Sequence, residues 1–175
     1  LNQRARFGLV VNFVAANQRA IEIGYKSKAV GKSAQNAAVA YHLAHSLQGE
    51  YPELSVDYSK VQLSSGKLAP PAGIVAAAAS PSGLQLSWNT SGYLGDPLPA
   101  DMLMVNVYHP VSGFAACYEN CASRSDGSVV LATPEEWSGQ EVVVWGFFAS
   151  AKPSGKTKPS ERVSATAYAG TVTLL

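Results

Sequence analysis

The chain has 175 residues, 47% of them apolar and only 14% charged, with a formal net charge of +1. That length suits one large domain or a domain with an appendage, and the apolar content excludes intrinsic disorder. The near-neutral balance excludes a global electrostatic pull toward nucleic acid or a membrane surface, and no segment approaches the ~18 consecutive apolar residues of a membrane span.

Residues 1–27 contain no proline, and Phe7, Val10, Val11 and Val14 recur at helical spacing with Phe13 beside them. Ile21 and Tyr25 continue the stripe, while Arg4, Arg6, Asn12, Gln18 and Arg19 fall elsewhere. This predicts one amphipathic helix, rich in β-branched residues and therefore dependent on a packing partner. Gly31 breaks the chain, and Ser33 is a plausible N-cap for a second helix over 34–47. Its stripe of Ala37, Ala40, Tyr41, Ala44 and Leu47 is narrow, and Gly49 is a natural stop. The pair reads as a helical hairpin over 1–49.

Residues 50–71 read as a connector with one strand, marked by Val56, Tyr58, Val61 and Leu63 and closed by Pro70-Pro71. From Ile74 the apolar period becomes two. Leu84, Leu86 and Trp88 alternate with polar residues, as do Leu103, Val105 and Val107 against their neighbours. Shorter runs follow at 114–120, 128–133, 141–150 and 163–174, separated by turn signals such as Asp126-Gly127 and Ser138-Gly139. With 74–79 this makes about seven strands, the pattern of an antiparallel immunoglobulin- or fibronectin-III-like β-sandwich over 72–175. The fold class is α+β. Trp88 suits the space between the sheets, and Trp145 faces either that core or the helices.

The charge is unevenly placed. Residues 1–32 hold six cations (Arg4, Arg6, Arg19, Lys26, Lys28, Lys32) against Glu22 alone, a net +5 that leaves −4 for the rest of a +1 chain. A solvated helix face explains this simply, and contact of Arg4, Arg6 and Arg19 with an acidic partner is the functional alternative. Cys117 and Cys121, placed i,i+4 along a strand, would lie ~13 Å apart on one face, beyond the ~7 Å reach of a disulfide. Two free, mostly buried thiols are expected.

Apparent catalytic motifs weaken on inspection. Gly31-Lys32-Ser33 and Gly155-Lys156-Thr157 mimic the end of a phosphate-binding loop, but Lys26 and Ser150 stand where its leading glycine belongs. His42 and His45 share a helix face without a third ligand at a recognisable spacing, so no metal is expected. Ser64 and Lys67 match S-x-x-K, but Gly66 and the strand-like flanks argue against the helix that would return the lysine to the serine. Glu135 and Glu136, or Asp96 and Asp101, are carboxylates whose separation a sequence does not give. His109 reads as a loop residue. No cofactor is implied. Trp137 and Tyr93 lie in expected loops, where exposed aromatics stack on sugars or insert into protein pockets; the alternative for Trp137 is to fold back and close the end of the core.

Several stretches together resemble a family of uncharacterised bacterial proteins abundant in the Bacteroidota, with N-terminal helices and a C-terminal immunoglobulin- or fibronectin-III-like domain. They are Gln3-Arg4-Ala5-Arg6-Phe7, residues 33–39, Tyr58-Ser59-Lys60-Val61, residues 64–68, Leu86-Ser87-Trp88, Val107-Tyr108, residues 139–148 and Tyr168-Ala169-Gly170. The resemblance spans essentially the whole chain and implies no activity, cofactor or catalytic residue. It implies a binding or structural role, such as a subunit of a surface or phage-like assembly. Members carry a glycine-rich N-terminal segment, so a start at Leu1 reads as a truncation. No signal peptide is visible, and a surface or secreted location is favoured over a cytoplasmic one if such a segment precedes Leu1. The expected function is a non-enzymatic structural or protein-interaction module, self-associating or binding a protein through the helices. A sandwich binding a glycan or protein through loop aromatics is the second reading, and a hydrolase the third.

Overall fold

The computed structural model describes residues 2–95, 97–151 and 158–175. The chain is α+β, with helices first and antiparallel sheets after. Asp96 and the 155–157 motif lie outside the described residues.

Three helices stand where two were expected: α1 (Asn2–Ala16), α2 (Gln18–Gly24) and α3 (Ala34–His45). The break falls at Asn17. Its backbone N–H is shared between the Phe13 and Val14 carbonyls, both at 3.2 Å. Its side chain donates back to Phe13 O at 2.8 Å and accepts from Asn106 Nδ2 at 2.6 Å. An asparagine amide that competes for helical carbonyls favours such a break. Here the amide is also anchored on the sheet below. Ser33 caps α3 as expected, its hydroxyl accepting from Asn36 N at 3.1 Å.

Nine strands are present among the described residues, in three sheets, rather than seven. β1 (Leu47–Gln48) and β2 (Ser55–Val56) pair with each other. β3 (Val75–Ala79), β4 (Gly83–Ser87) and β7 (Ser128–Ala132) form one sheet in the order β3-β4-β7. β5 (Met102–His109), β6 (Phe114–Ser123), β8 (Glu141–Ala149) and β9 (Ala167–Thr173) form another, in the order β6-β5-β8-β9.

The period of two then divides β8 between two cores. Val142, Val144 and Phe148 pack between the sheets with Leu84, Leu86, Leu103, Val105, Val107 and Leu131. Val143, Trp145 and Phe147 pack the other way, against Val10, Phe13, Val14, Ile21 and Leu63. β5 divides likewise, with Met104 and Asn106 on the helical side. A strand covered on both faces needs an unbroken apolar run, which is what residues 142–149 supply. The molecule is thus three layers deep, and the helices and the sandwich share its middle sheet.

Residues 57–68 are strapped into this arrangement rather than linking two bodies. Tyr25 Oη donates to Gln62 O at 2.8 Å, and Trp145 Nε1 to Tyr58 O at 2.9 Å. Gln62 and Thr166 exchange two hydrogen bonds, Nε2 to O at 3.1 Å and N to Oε1 at 2.9 Å. Gly24 ends α2 against the strap: a Cβ there would lie 2.2 Å from Leu63 O, so only glycine fits.

β6 carries a bulge. Leu103 pairs with Ala122 and Val105 with Tyr118, leaving three residues opposite Met104, with Asn120 at φ 50°. Within the bulge the alternation is interrupted, so that Cys121 packs on the same side as its neighbour Ala122 and as Tyr118 before the bulge. Cys117 packs toward the helices and Cys121 between the sheets. Both thiols are free, as expected, but they lie on opposite faces rather than one. Burial pushes each thiol up to about 11.

Arg124 and Asp101 form a buried ion pair, at 2% and 0% exposure. Arg124 Nη2 lies 3.1 Å from Asp101 Oδ2 and 2.9 Å from Ala69 O. The guanidinium sits between the rings of Phe148 and Tyr93, 3.9 and 4.6 Å from their centroids.

Candidate functional site

The aromatic candidates are engaged internally. Trp137 is 5% exposed and stacks on His109 with ring centroids 5.1 Å apart. It closes the end of the inter-sheet core and has no face free for a ligand. Tyr93 is half-buried over Arg124, its hydroxyl donating to Asn89 O.

The three arginines divide. Arg19 makes a two-pronged contact with Glu119, Nε at 3.1 Å and Nη2 at 2.7 Å, and lies 3.5 Å from Glu22. It ties α2 to the β6 bulge. The guanidinium's hydrogen bonds hold the Glu119 carboxyl below its usual range. Arg4 is exposed on α1, and Arg6 donates to Leu43 O of α3 at 3.4 Å.

Among the described residues, the other candidates are not brought together into one cluster. The Ser64 hydroxyl is buried and 2.7 Å from Thr166 Oγ1, while Lys67 is exposed. Glu135 and Glu136 are exposed in a short 3₁₀ turn, and Asp101 is engaged with Arg124. Among the described residues no group of three or more His, Cys, Asp or Glu side chains is placed to hold a metal ion.

His42 is a core residue, 1% exposed, whereas His45 is exposed. Its Nδ1 is 2.7 Å from Ala38 O, which only accepts, so Nδ1 carries the proton. Nε2 therefore accepts from Gln62 N at 3.2 Å. Burial and the nearby His45 lower the His42 pKa below 6.5, with the Ala38 bond opposing them. The unfolded chain then binds the extra proton first. The stability that neutral His42 contributes is complete above about pH 6.5 and is lost as pH falls through the lowered folded value. Urea melts at pH 7.5 and 5.0 are expected to show a fall in midpoint that shrinks in His42→Gln, which keeps a donor and an acceptor but does not titrate. An equal fall in the variant counts against His42 as the source.

What remains open is the outer side of the helical layer. α1 and α3 leave a groove of about 610 Å³ between them. Phe7, Val11, Val14 and Ala15 line one wall, and Val39, Ala40 and Leu43 the other, with the polar Gln18, Gln35 and Asn36 also in the lining. Phe7 is 55% exposed. Arg4 precedes Phe7 by one turn, Arg6 bridges to the end of α3, and neither helix contains a carboxylate. α1 carries too broad an apolar arc for one contact: Val10 and Phe13 bury on the sheet, Phe7 and Val11 face the groove, and Val14 lies between the two. The sequence reading put all of them in a single stripe. It also missed Val39 and Leu43, whose spacing of four marks a second face on α3.

A family described as "Family of unknown function (DUF6266)" matches residues 1–161. Among solved structures, the fn3 domain of the human collagen alpha-1(XX) chain is similar at 20% identity and a TM-score of 0.38, covering 64% of this chain and 90% of that one. No curated protein matches the chain.

Proposed function

We propose that this chain, which belongs to that family of unknown function, is a non-enzymatic protein-interaction module whose helical layer receives an amphipathic helix with acidic flanks from a partner protein. The sandwich serves as the rigid support. The order β3-β4-β7 facing β6-β5-β8-β9 supports a fibronectin-III-like reading of those seven strands. A module of this kind suits a subunit of a bacterial surface or phage-like assembly.

The observation that carries the reading is the groove between α1 and α3. A mainly apolar channel with Phe7 largely uncovered, Gln18, Gln35 and Asn36 in its lining and cations on α1 beside it matches helix-in-groove recognition, where apolar anchors enter the channel and flanking charge sets orientation. The charge pattern selects the occupant. With Arg4 and Arg6 at one end and no carboxylate on either wall, acidic flanks are favoured over basic ones.

Fluorescence anisotropy with two labelled amphipathic peptides, identical except for Glu or Lys flanks, tests this. The Glu-flanked peptide is expected to bind more tightly. Phe7→Asp is expected to weaken it by ~30-fold, the scale of a buried aromatic anchor. Because Phe7 is mostly exposed, the variant should fold with an unchanged melting temperature. Equal binding of both peptides, indifference to Phe7→Asp, or a dimer of the chain alone that buries Phe7 in light-scattering and cross-linking experiments would each overturn the proposal.

A further inference from the structure

A second cavity, distinct from the groove, opens on the other side of α3. It encloses about 420 Å³ between the Lys26–Lys28 turn, the first turns of α3 and the strap at 62–66. One wall is apolar and aromatic, built from Tyr25, Ala37 and Tyr41. Lys28 and Lys32 stand at it, and both are exposed. No carboxylate lines it, and neither lysine makes an ion pair among the described residues. The nearest acidic turn, Pro159–Glu161, adjoins the Lys26–Lys28 turn without lining the cavity. Tyr25 Oη is already engaged with Gln62 O, but the hydroxyls of Tyr41 and Ser65 have no hydrogen-bond partner among the described residues.

We infer that this cavity is a binding site for a small anion carrying a ring: the ring against Tyr41 and Ala40, with Tyr25 buried beneath them, and the anionic group at Lys28 and Lys32. The volume fits a small molecule rather than a helix, and sites of this size combine an apolar wall with a few convergent polar groups. Two lysines without an ion pair and two hydroxyls without a partner among the described residues supply cationic and neutral donors for a phosphate or carboxylate, with no carboxylate in the lining to repel it. The wall is held firmly. Tyr25 is 2% exposed, and the strap behind it is fixed to Gly24 O through Ser65 N at 2.9 Å. The Gly31-Lys32-Ser33 segment thus has a use that its loop geometry denies it as a nucleotide motif: Ser33 caps the helix, and Lys32 faces the cavity.

Titration of the ¹⁵N-labelled chain with phenyl phosphate, phenylacetate, inorganic phosphate and benzyl alcohol tests this by NMR shift changes. Phenyl phosphate is expected to shift the resonances of Tyr25, Tyr41 and Ser65. Its affinity should exceed that of inorganic phosphate by about tenfold, a modest share of aromatic contact, and benzyl alcohol should not bind. Phenylacetate reports whether carboxylate is accepted as well as phosphate. Lys28→Gln/Lys32→Gln is expected to reduce affinity for phenyl phosphate by about tenfold, and Lys28→Arg/Lys32→Arg to retain most of it. Shift changes that map elsewhere, benzyl alcohol binding as well as phenyl phosphate, or a glutamine variant with undiminished affinity would each overturn the assignment. The mapping on the unsubstituted chain decides the matter even if a variant folds poorly.

Discussion

Trp145→Ala is expected to lower the unfolding free energy by about 3–5 kcal/mol, the range for removing a fully buried large aromatic. Trp145 is 0% exposed and lies on the helical side of β8. Its ring meets Phe13 edge-on at 6.0 Å and Tyr58 at 6.0 Å, with Tyr108 beyond. Its Nε1–H donates to Tyr58 O, so the substitution leaves a cavity and removes a donor from the strap at once. Urea denaturation followed by both far-UV circular dichroism and tryptophan fluorescence measures the effect. Because the helices and the sandwich share the four-stranded sheet, the two probes should remain coincident in the unsubstituted chain. A change under about 1 kcal/mol, or a helical signal that melts well apart from the sandwich signal before any substitution, would contradict the shared layer.

Asp101→Ala is expected to be comparably severe, about 3–5 kcal/mol, because it strands a buried guanidinium. Asp101 does more than neutralise Arg124. Its Oδ2 accepts from Leu98 N at 3.0 Å and its Oδ1 from Ala151 N at 3.3 Å, so three chain segments lose an anchor together. Asp101→Asn/Arg124→Met should recover part of the loss, since removing both charges leaves none unpaired and methionine still fills the gap between Phe148 and Tyr93. The measured quantity is the non-additivity of the double substitution. Strict additivity would mean that the two side chains act independently.

Much of the layout could be read from the residues because it rests on period. The change from helical to alternating spacing falls at Pro70-Pro71, and β3 to β9 all follow it. The apolar run at 142–149 signalled a strand, although only the packing shows that both its faces are covered. Three things were not legible. Asn17 ends a helix because Asn106, distant in sequence, holds its side chain, and spacing alone does not encode that contact. The β6 bulge gives no periodic signal, so the two thiols were placed on one face when they occupy two. Whether a loop aromatic turns outward or inward is settled by what it meets: Trp137 meets His109, and a loop assignment does not contain that information. The groove stayed hidden for a related reason. Dividing the apolar arc of α1 requires knowing where the sheet and α3 lie, and both are set by chain that follows it.

The double covering of β8 also has a temporal side. Translation makes α1, α2 and α3 first, yet the sheet surface that receives them is formed by residues 102–149, which follow them. Until β5 and β8 are out of the ribosome and paired, Phe13, Val14 and Ile21 have only α3 and the strap to pack on and lack the sheet that completes their cover. Synthesis at about 5–20 residues per second makes that delay several seconds or more. During that interval the nascent helices offer a sticky face to chaperones and to neighbouring copies, so yield in expression should respond to holdase supply more than the stability of the finished fold would suggest.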